Sequence, residues 1–187
     1  PKSVPKEALE LKLLYFDATC PLVSKIHKEV EHFDKKNLPV ILIGHRNHPE
    51  VIGTMGQSNR EIYLVEKKED VKNLQLNQNS FVAYVTQTTL SVDDTKDIIK
   101  EIKRKFKNVI EPKKNDICYA TTNRQEAVKK IANNCDYFLV IGASNSSNSL
   151  RLVEVGKRSG CDETYLISDI SEVNWKLVEK KQKIGLT

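Results

Sequence analysis

Residues 40–50, VILIGHRNHPE, decide the fold class of this chain. Four apolar residues are followed at once by a glycine and a polar turn. An apolar run this short, bounded by turn residues, predicts a buried strand. A shift of 98 residues places Ile41-Leu42-Ile43-Gly44 on Leu139-Val140-Ile141-Gly142. The same strand, glycine and polar turn therefore occur twice.

Short apolar runs alternate with helical patterns along the chain, and this alternation predicts an α/β fold with mostly parallel sheets. The predicted strands are Leu13–Phe16, Val40–Ile43, Ile62–Val65, Phe81–Val85, Tyr137–Ile141 and Tyr165–Ile167. One predicted helix runs from Pro21 to about Asn37, and another includes Leu150–Val155. Two more are predicted from their caps, one beginning after Ser91 and one after a capping box formed by Thr122 and Gln125.

The repeat extends beyond the strands, because the same shift places Cys20 on Cys118 and Asn47 on Asn145. The shared order of elements predicts two similar α/β domains. The chain begins at Pro1 without Met and stops in a strand-like segment, so we expect an internal piece of a longer protein. The expected parts are the end of a preceding domain (1–20), a second domain (21–112) and a third, truncated domain (113–187).

Composition excludes several classes of protein. With 39% hydrophobic and 29% charged residues among 187, the chain is an ordinary globular one, and its longest apolar runs are too short to span a bilayer. We expect a cytoplasmic protein without a membrane partner. The net charge of +5 suits a small anionic substrate. The basic group at residues 100–107 lacks interleaved aromatics, so we interpret it as a solvated helix face and expect no nucleic acid.

Four cysteines are present, and none forms a C-x-x-C pair. Cys20 and Cys118 lie at predicted helix starts, where the thiolate that binds metals is favoured. Each could instead be a small buried hydrophobe, but their equivalent places in the repeat favour shared metal ligation. Cys135 and Cys161 follow predicted helices and are interpreted as packing residues.

Polar turns follow the two equivalent strands, and ligands collect at the carboxyl ends of strands in open α/β sheets. His48 and Glu50 flank Pro49 in the first turn and suit anion binding and proton transfer, although a plain surface loop has the same composition. Ser146, Ser147 and Asn148 in the second turn suit an anion site or simple helix capping. Two domains facing each other would direct both turns and both cysteines at one cavity.

Five motifs in one order resemble the 4-hydroxy-3-methylbut-2-enyl diphosphate reductases, iron–sulfur enzymes of the methylerythritol phosphate pathway of isoprenoid synthesis. The motifs are DATCPLV (17–23), GHRNHPEV with GTMG (44–56), TQTTLSVDDT (86–95), DICYATTNRQEA (116–127) and NSSNS (145–149). The resemblance implies three α/β domains around a central 4Fe-4S cluster, with Cys20 and Cys118 as two of its three ligands and the third upstream of Pro1.

The resemblance also implies the roles of the remaining residues. His48 is expected to bind the diphosphate, Glu50 to donate protons, and Thr88 to lie near the substrate hydroxyl and Glu50. Ser146, Ser147 and Asn148 are expected to clamp the diphosphate. The implied reaction is reductive dehydroxylation to isopentenyl and dimethylallyl diphosphate, with ferredoxin or flavodoxin as electron donor. From the residues alone, a phosphate-binding module without iron and a basic nucleic-acid-binding domain stay open as alternatives.

Overall fold

A computed structural model describes residues 1–187, and the chain divides into two compact units. The first unit contains residues 1–88 and 92–117, and the second contains residues 89–91 and 118–187. The domain boundaries expected after residues 20 and 112 stay predictions. None of the helices combines the length and apolar composition that a membrane span requires.

The first unit is built on a parallel sheet of four strands in the order β2-β1-β3-β4. Its strands are β1 (Val40–Ile43), β2 (Ile62–Val65), β3 (Phe81–Thr86) and β4 (Asn108–Ile110). Its helices are α1 (Ser3–Glu10), α2 (Pro21–Lys35), α3 (Pro49–Met55), α4 (Lys68–Asn73) and α5 (Val92–Lys105).

The second unit is built on a parallel sheet of three strands in the order β6-β5-β7. Its strands are β5 (Tyr137–Ile141), β6 (Thr164–Ile167) and β7 (Ile184–Leu186). Its helices are α6 (Tyr119–Ala132), α7 (Ser147–Arg158), a short 3-10 helix (Ile170–Glu172) and α8 (Trp175–Val178).

Each unit has its own apolar core. In the first, Ile26, Val30 and Phe33 recur every three to four residues along α2 and pack on Leu42 and Val85 of the sheet. The second core is formed in the same way by residues of α6, α7 and β5: Val128, Ala132, Leu152, Val155, Phe138 and Val140. The predicted α/β class with parallel sheets is confirmed.

The repeat is visible in the strand order. β1 pairs with β2 on one side and β3 on the other, and β5 pairs with β6 and β7 in the same sense. All of these pairs are parallel. The equivalence proposed from the shift of 98 residues is therefore one of topology as well as of sequence.

Two predictions about local structure are wrong. Leu13–Phe16 is extended but joins neither sheet, and Leu14 and Phe16 are largely exposed. An apolar run becomes a strand only where a neighbouring strand takes its backbone hydrogen bonds, and no segment of this chain does so. The helix expected to start at Thr122 starts at Tyr119 instead, and the Thr122 hydroxyl donates back to the Cys118 carbonyl at 3.3 Å.

Candidate functional site

The topology of the first unit predicts a ligand crevice between the carboxyl ends of β1 and β3. From β1 the chain goes to β2 on one side of the sheet, and β3 lies on the other side. Such a switch in direction separates the loops that leave the two strands and opens a ligand site between them. Residues 44–50 leave β1 at this crevice, and residues 87–88 leave β3.

Gly44 is needed because the loop from β1 passes close to its neighbours. A Cβ atom at this position would lie 2.6 Å from Val51 Cγ2 and 3.3 Å from the Cβ of Gln87. The turn that follows has Asn47 in the left-handed region, with φ of 67°. Asn tolerates this conformation better than most residues. The chain then enters α3 through Pro49, whose fixed φ suits a first helical position.

His48 is the N-cap of α3, and its ring accepts a hydrogen bond. Its Nδ1 accepts from the Glu50 backbone N–H at 3.2 Å. Burial and the neighbouring His45 lower the pKa of His48, which favours the neutral ring. A neutral ring that accepts at Nδ1 carries its proton on Nε2. His48 therefore presents one N–H donor.

Glu50 and Thr88 form the most specific contact of the crevice. The Thr88 backbone N–H donates to Glu50 Oε1 at 2.7 Å, and the Thr88 hydroxyl donates to Oε2 at 2.9 Å. Burial raises the pKa of Glu50, and the charge of Asp116 adds to this, while the two Thr88 hydrogen bonds act in the opposite direction. The result is a half-buried carboxyl with a raised pKa, which is the property of a general acid.

Gln87 holds the two loops together, and the sequence interpretation missed it. It is 1% exposed, and its Oε1 accepts from the His45 backbone N–H at 2.9 Å. Its own backbone N–H donates to the Ile43 carbonyl at 2.8 Å. The position of Gln87, a polar residue directly after a buried strand, is the feature of the sequence that could have indicated its role. Burial of such a residue requires a hydrogen-bonding partner.

The second unit repeats the arrangement with different side chains. A Cβ atom on Gly142 would lie 2.2 Å from Ser149 Oγ, so the loop after β5 is again packed closely. Ser146 is the N-cap of α7, as His48 is of α3, and its Oγ accepts from the Ser149 backbone N–H at 3.3 Å. The Ser149 hydroxyl donates to the same oxygen at 3.0 Å. Both lone pairs of Ser146 Oγ are thus occupied, which leaves its proton available to donate to a further acceptor.

Ser147 and Asn148 continue this turn as the first residues of α7. Ser147 Oγ accepts from the Thr89 hydroxyl at 3.0 Å. Asn148 Oδ1 is buried without a hydrogen-bonding partner, a rare and costly state for a polar atom. The predicted residues of the second turn therefore lie together, within the second unit. The orphan oxygen needs a donor, while the amide nitrogen of Asn148 is the atom suited to an anion.

Cys20 and Cys118 occupy equivalent positions. Each is the N-cap of a long helix, with φ/ψ of −52°/134° at Cys20 before α2 and −58°/132° at Cys118 before α6. Neither side chain makes a capping hydrogen bond, and both thiols are free. The capping role falls to the backbone, since the Cys20 carbonyl accepts from the Ser24 N–H and the Cys118 carbonyl from the Thr122 N–H.

These two thiols fit an iron–sulfur cluster in chemistry, because thiolates are the usual ligands of such clusters. Cys20 is exposed and Cys118 is half-buried, so both thiols remain accessible to a ligand. The other two thiols have partners within the chain. Cys161 is buried in the second core, and Cys135 donates to the Ile131 carbonyl. No group of three or more His, Cys, Asp or Glu residues in the chain could hold a metal ion. The chain therefore offers two candidate thiol ligands, Cys20 in the first unit and Cys118 in the second.

The basic residues of α5 make contacts within the chain. Arg104 pairs with Glu101 at 2.5 Å, Lys103 with Glu111 at 2.8 Å, and Lys100 with Asp97 at 3.4 Å. Lys105 donates to the carbonyls of Val71, Lys72 and Leu74. This pattern is that of a solvated helix face.

Comparison with known proteins gives consistent matches. The family model described as LytB protein matches residues 1–187. The 4-hydroxy-3-methylbut-2-enyl diphosphate reductase of Roseobacter denitrificans is 51% identical over the whole chain, and that of a Ruegeria species is 50% identical. The chain spans about 60% of the length of these relatives.

Two solved structures are also similar. The E-1-hydroxy-2-methyl-but-2-enyl-4-diphosphate reductase of Plasmodium falciparum matches with a TM-score of 0.94 and 39% identity, over 99% of this chain and 58% of that one. The (E)-4-hydroxy-3-methyl-but-2-enyl diphosphate reductase described as the terminal enzyme of the non-mevalonate pathway matches with a TM-score of 0.62 and 33% identity, over 100% of this chain and 66% of that one. Because the family model matches from the first residue to the last, the chain belongs to the LytB protein family.

Proposed function

We propose that this chain is part of an enzyme that removes the hydroxyl group of 4-hydroxy-3-methylbut-2-enyl diphosphate by reduction. The reaction consumes two electrons and two protons, and yields water with isopentenyl or dimethylallyl diphosphate. Relatives that carry the name of this reductase support the proposal. The observation that carries it is the Glu50 carboxyl, which is half-buried at the carboxyl end of the sheet and held by both donors of Thr88.

Glu50 acts as the proton donor at a defined atom. The backbone N–H of Thr88 can only donate, so Oε1 always accepts. The Thr88 hydroxyl can rotate from donor to acceptor, so the proton resides on Oε2. Thr88 therefore holds Glu50 in either protonation state. The carboxyl stays in place while the proton leaves for the departing hydroxyl group.

Donors in the two turns bind the diphosphate. In the first unit the donor is His48 Nε2–H, because Nδ1 is engaged by the Glu50 backbone. In the second unit the donors are the Ser146 hydroxyl proton, the Ser147 hydroxyl and the Asn148 amide nitrogen. All four groups can be neutral donors, which suits the recognition of a highly charged anion without a buried ion pair.

Cys20 and Cys118 would hold two irons of a 4Fe-4S cluster, with the remaining cysteine outside this chain. When bound, the cluster supplies the two electrons, which ferredoxin or flavodoxin would replenish. The residues of this chain bind the diphosphate, keep Glu50 in place and deliver the proton.

Anaerobic expression of the full-length natural protein tests the cofactor. Iron, sulfide and visible absorbance are measured in wild type, Cys118→Ala and Cys135→Ala. Cys135 is the matched control, because it lies in the same unit and its thiol already has an internal partner. We expect iron in wild type and Cys135→Ala, and loss of iron in Cys118→Ala. An iron-free wild type after reconstitution contradicts the proposal and favours a phosphate-binding module.

A second measurement tests the proton donor. Glu50→Gln retains the size of the side chain and cannot deliver a proton at neutral pH. We expect this variant to keep its iron and to lose more than about a hundredfold in turnover, since general acid catalysis contributes on that scale. Wild-type turnover in Glu50→Gln would exclude Glu50 as the proton donor.

A further inference from the structure

A second buried carboxylate lies in the first unit, and the mechanism above does not use it. Asp116 is 1% exposed. Its Oδ2 accepts from the Thr86 backbone N–H at 2.9 Å, and its Oδ1 accepts from Lys25 Nζ at 2.6 Å. Burial of a charged group carries a desolvation cost, and the two hydrogen bonds of Asp116 offset this cost only in the present geometry.

The contact between Asp116 and Thr86 replaces one hydrogen bond that a longer strand β4 would accept. The backbone N–H groups of Ala83 and Gln87 both donate toward β1, to Pro39 and Ile43. Backbone groups alternate along a strand, so the N–H of Thr86 points to the opposite side, where β4 lies. However, β4 ends at Ile110, which is opposite Ala83. The Asp116 carboxylate takes the hydrogen bond that β4 is too short to accept.

The contact with Lys25 reaches α2, the helix that Cys20 caps. Lys25 Nζ is further held by the Lys114 carbonyl at 3.1 Å and by Glu29 Oε2 at 2.9 Å. Asp116 thus joins the end of β3 to α2 within the first unit. It also lies two residues before Cys118 in the sequence.

Thr86 is two residues before Thr88, and Thr88 holds both oxygens of Glu50. Between them, Gln87 is fixed by its hydrogen bonds with Ile43 and His45. We propose that Asp116 is a positioning residue for Glu50. By anchoring the last backbone N–H of β3 and tying it to α2, Asp116 keeps Thr88 where it grips the carboxyl. The effect on kcat rests on the proposed function, whereas the effect on amide hydrogen exchange does not.

The test uses Asp116→Asn in the full-length holoenzyme. An amide keeps one acceptor oxygen and replaces the other with a donor, so either Thr86 or Lys25 loses its partner. Asp97→Asn is the matched control, because the same change is made at an exposed carboxylate that also pairs with a lysine. Hydrogen exchange is followed by mass spectrometry with fragmentation that resolves single amides, alongside kcat and KM.

We expect the amides of Thr86 and Thr88 to exchange about tenfold faster in Asp116→Asn, which corresponds to the loss of one hydrogen bond. The amides of Val82 and Tyr84 should keep their wild-type rates. We expect kcat to fall about tenfold or more with little change in KM, and Asp97→Asn to resemble wild type. A role in stability alone would speed exchange along all of β3 and leave kcat of the folded protein unchanged.

A double-mutant cycle with Glu50→Gln separates positioning from an independent effect. The cycle is built on Glu50 because Thr88 also holds it through a backbone N–H, which no side-chain variant of Thr88 removes. If Asp116 acts by positioning Glu50, the double variant is no slower than Glu50→Gln. If the two losses multiply, the proposal is overturned, as it is by a folded Asp116→Asn with wild-type Thr88 exchange and kcat.

Should Asp116→Asn fail to fold, Asp116→Glu is judged by the same criteria, since it keeps the charge and moves the oxygens by one methylene. Absence of reductase activity in wild type would refute the proposed function. The exchange data would still decide whether Asp116 holds Thr88.

Discussion

Gly142→Ala tests whether close packing of the loop after β5 positions the Ser146–Asn148 turn. The added Cβ would lie 2.2 Å from Ser149 Oγ and 2.8 Å from Ser149 Cβ. Real Cβ atoms do not approach other atoms so closely, and Ser149 is buried in the first turn of α7. Relief of the clash requires that Ser149 rotate or that the start of α7 move. Rotation breaks the bond from the Ser149 hydroxyl to Ser146, and movement of the helix start also breaks the capping bond from the Ser149 backbone N–H.

The cost has two parts. Overpacking of a buried site costs about 1–3 kcal/mol. Loss of the Ser146 cap costs about 0.5–2 kcal/mol. The two parts overlap, because the same movement relieves the clash and breaks the cap, so we expect a loss of about 2–4 kcal/mol in the free energy of unfolding. If the turn binds the diphosphate as proposed, KM for that substrate should also rise, since the donors of the turn are displaced.

The assay is denaturant unfolding of the full-length protein, followed by circular dichroism and by the fluorescence of Trp175, the single Trp of this chain. Gly53→Ala is the control, because a Cβ there meets its nearest atom at 3.6 Å and lies inside α3. A helical Gly→Ala change should stabilise by about 0.5–1 kcal/mol. Equal unfolding free energies for Gly142→Ala and wild type would refute the steric reasoning.

Two further predictions concern the first unit. Thr88→Val removes the hydroxyl that favours ionised Glu50. The pKa of Glu50 should therefore rise, and the variant should lose about 1.5–3 kcal/mol of stability above that pKa, where the lost bond is to a charged group, and a smaller amount of about 0.5–1.5 kcal/mol below it, where the lost bond is neutral. Carbon-13 NMR titration and unfolding at several pH values measure both effects, and Thr88→Ser, which keeps the hydroxyl, should behave as wild type. Ile26→Ala should lower the free energy of unfolding by about 2–5 kcal/mol, because the Ile26 side chain is fully buried. Ile52→Ala, on an exposed face, should change the free energy of unfolding by less than about 1 kcal/mol. Similar losses in the two variants would contradict the assignment of the core.

Local patterns in the sequence were enough for the repeated scaffold. A short apolar run, a glycine and a polar turn with a cap residue all act within about ten residues. For this reason the strands β1 and β5 and the start of α7 follow from the sequence, whereas α3 was interpreted only as a polar turn stiffened by Pro49. The shift of 98 residues also places His48 on Ser146, and both residues are N-caps in the structure.

Features that depend on distant partners were not predictable in this way. Leu13–Phe16 has the composition of a strand, but pairing depends on a neighbour that the composition does not specify. The capping-box pattern at Thr122 placed the N-cap of α6 four residues too late. There the cap is Cys118, which caps through its backbone and leaves its side chain unused. Asp116 gave no signal, because its partners Thr86 and Lys25 are distant in sequence.

The two units place different chemistry on the same backbone positions. The N-cap is an imidazole in α3 and a hydroxyl in α7, and two residues later a carboxyl at Glu50 corresponds to an amide at Asn148. For the proposed diphosphate substrate this difference has a physical reason. One acid is sufficient to deliver protons, whereas a second carboxylate beside the bound anion would repel it. An amide of nearly the same shape keeps the donor without the charge. Under the proposed function, the repeat supplies the positions, and this exchange of carboxyl for amide would separate proton delivery at Glu50 from anion binding at Asn148.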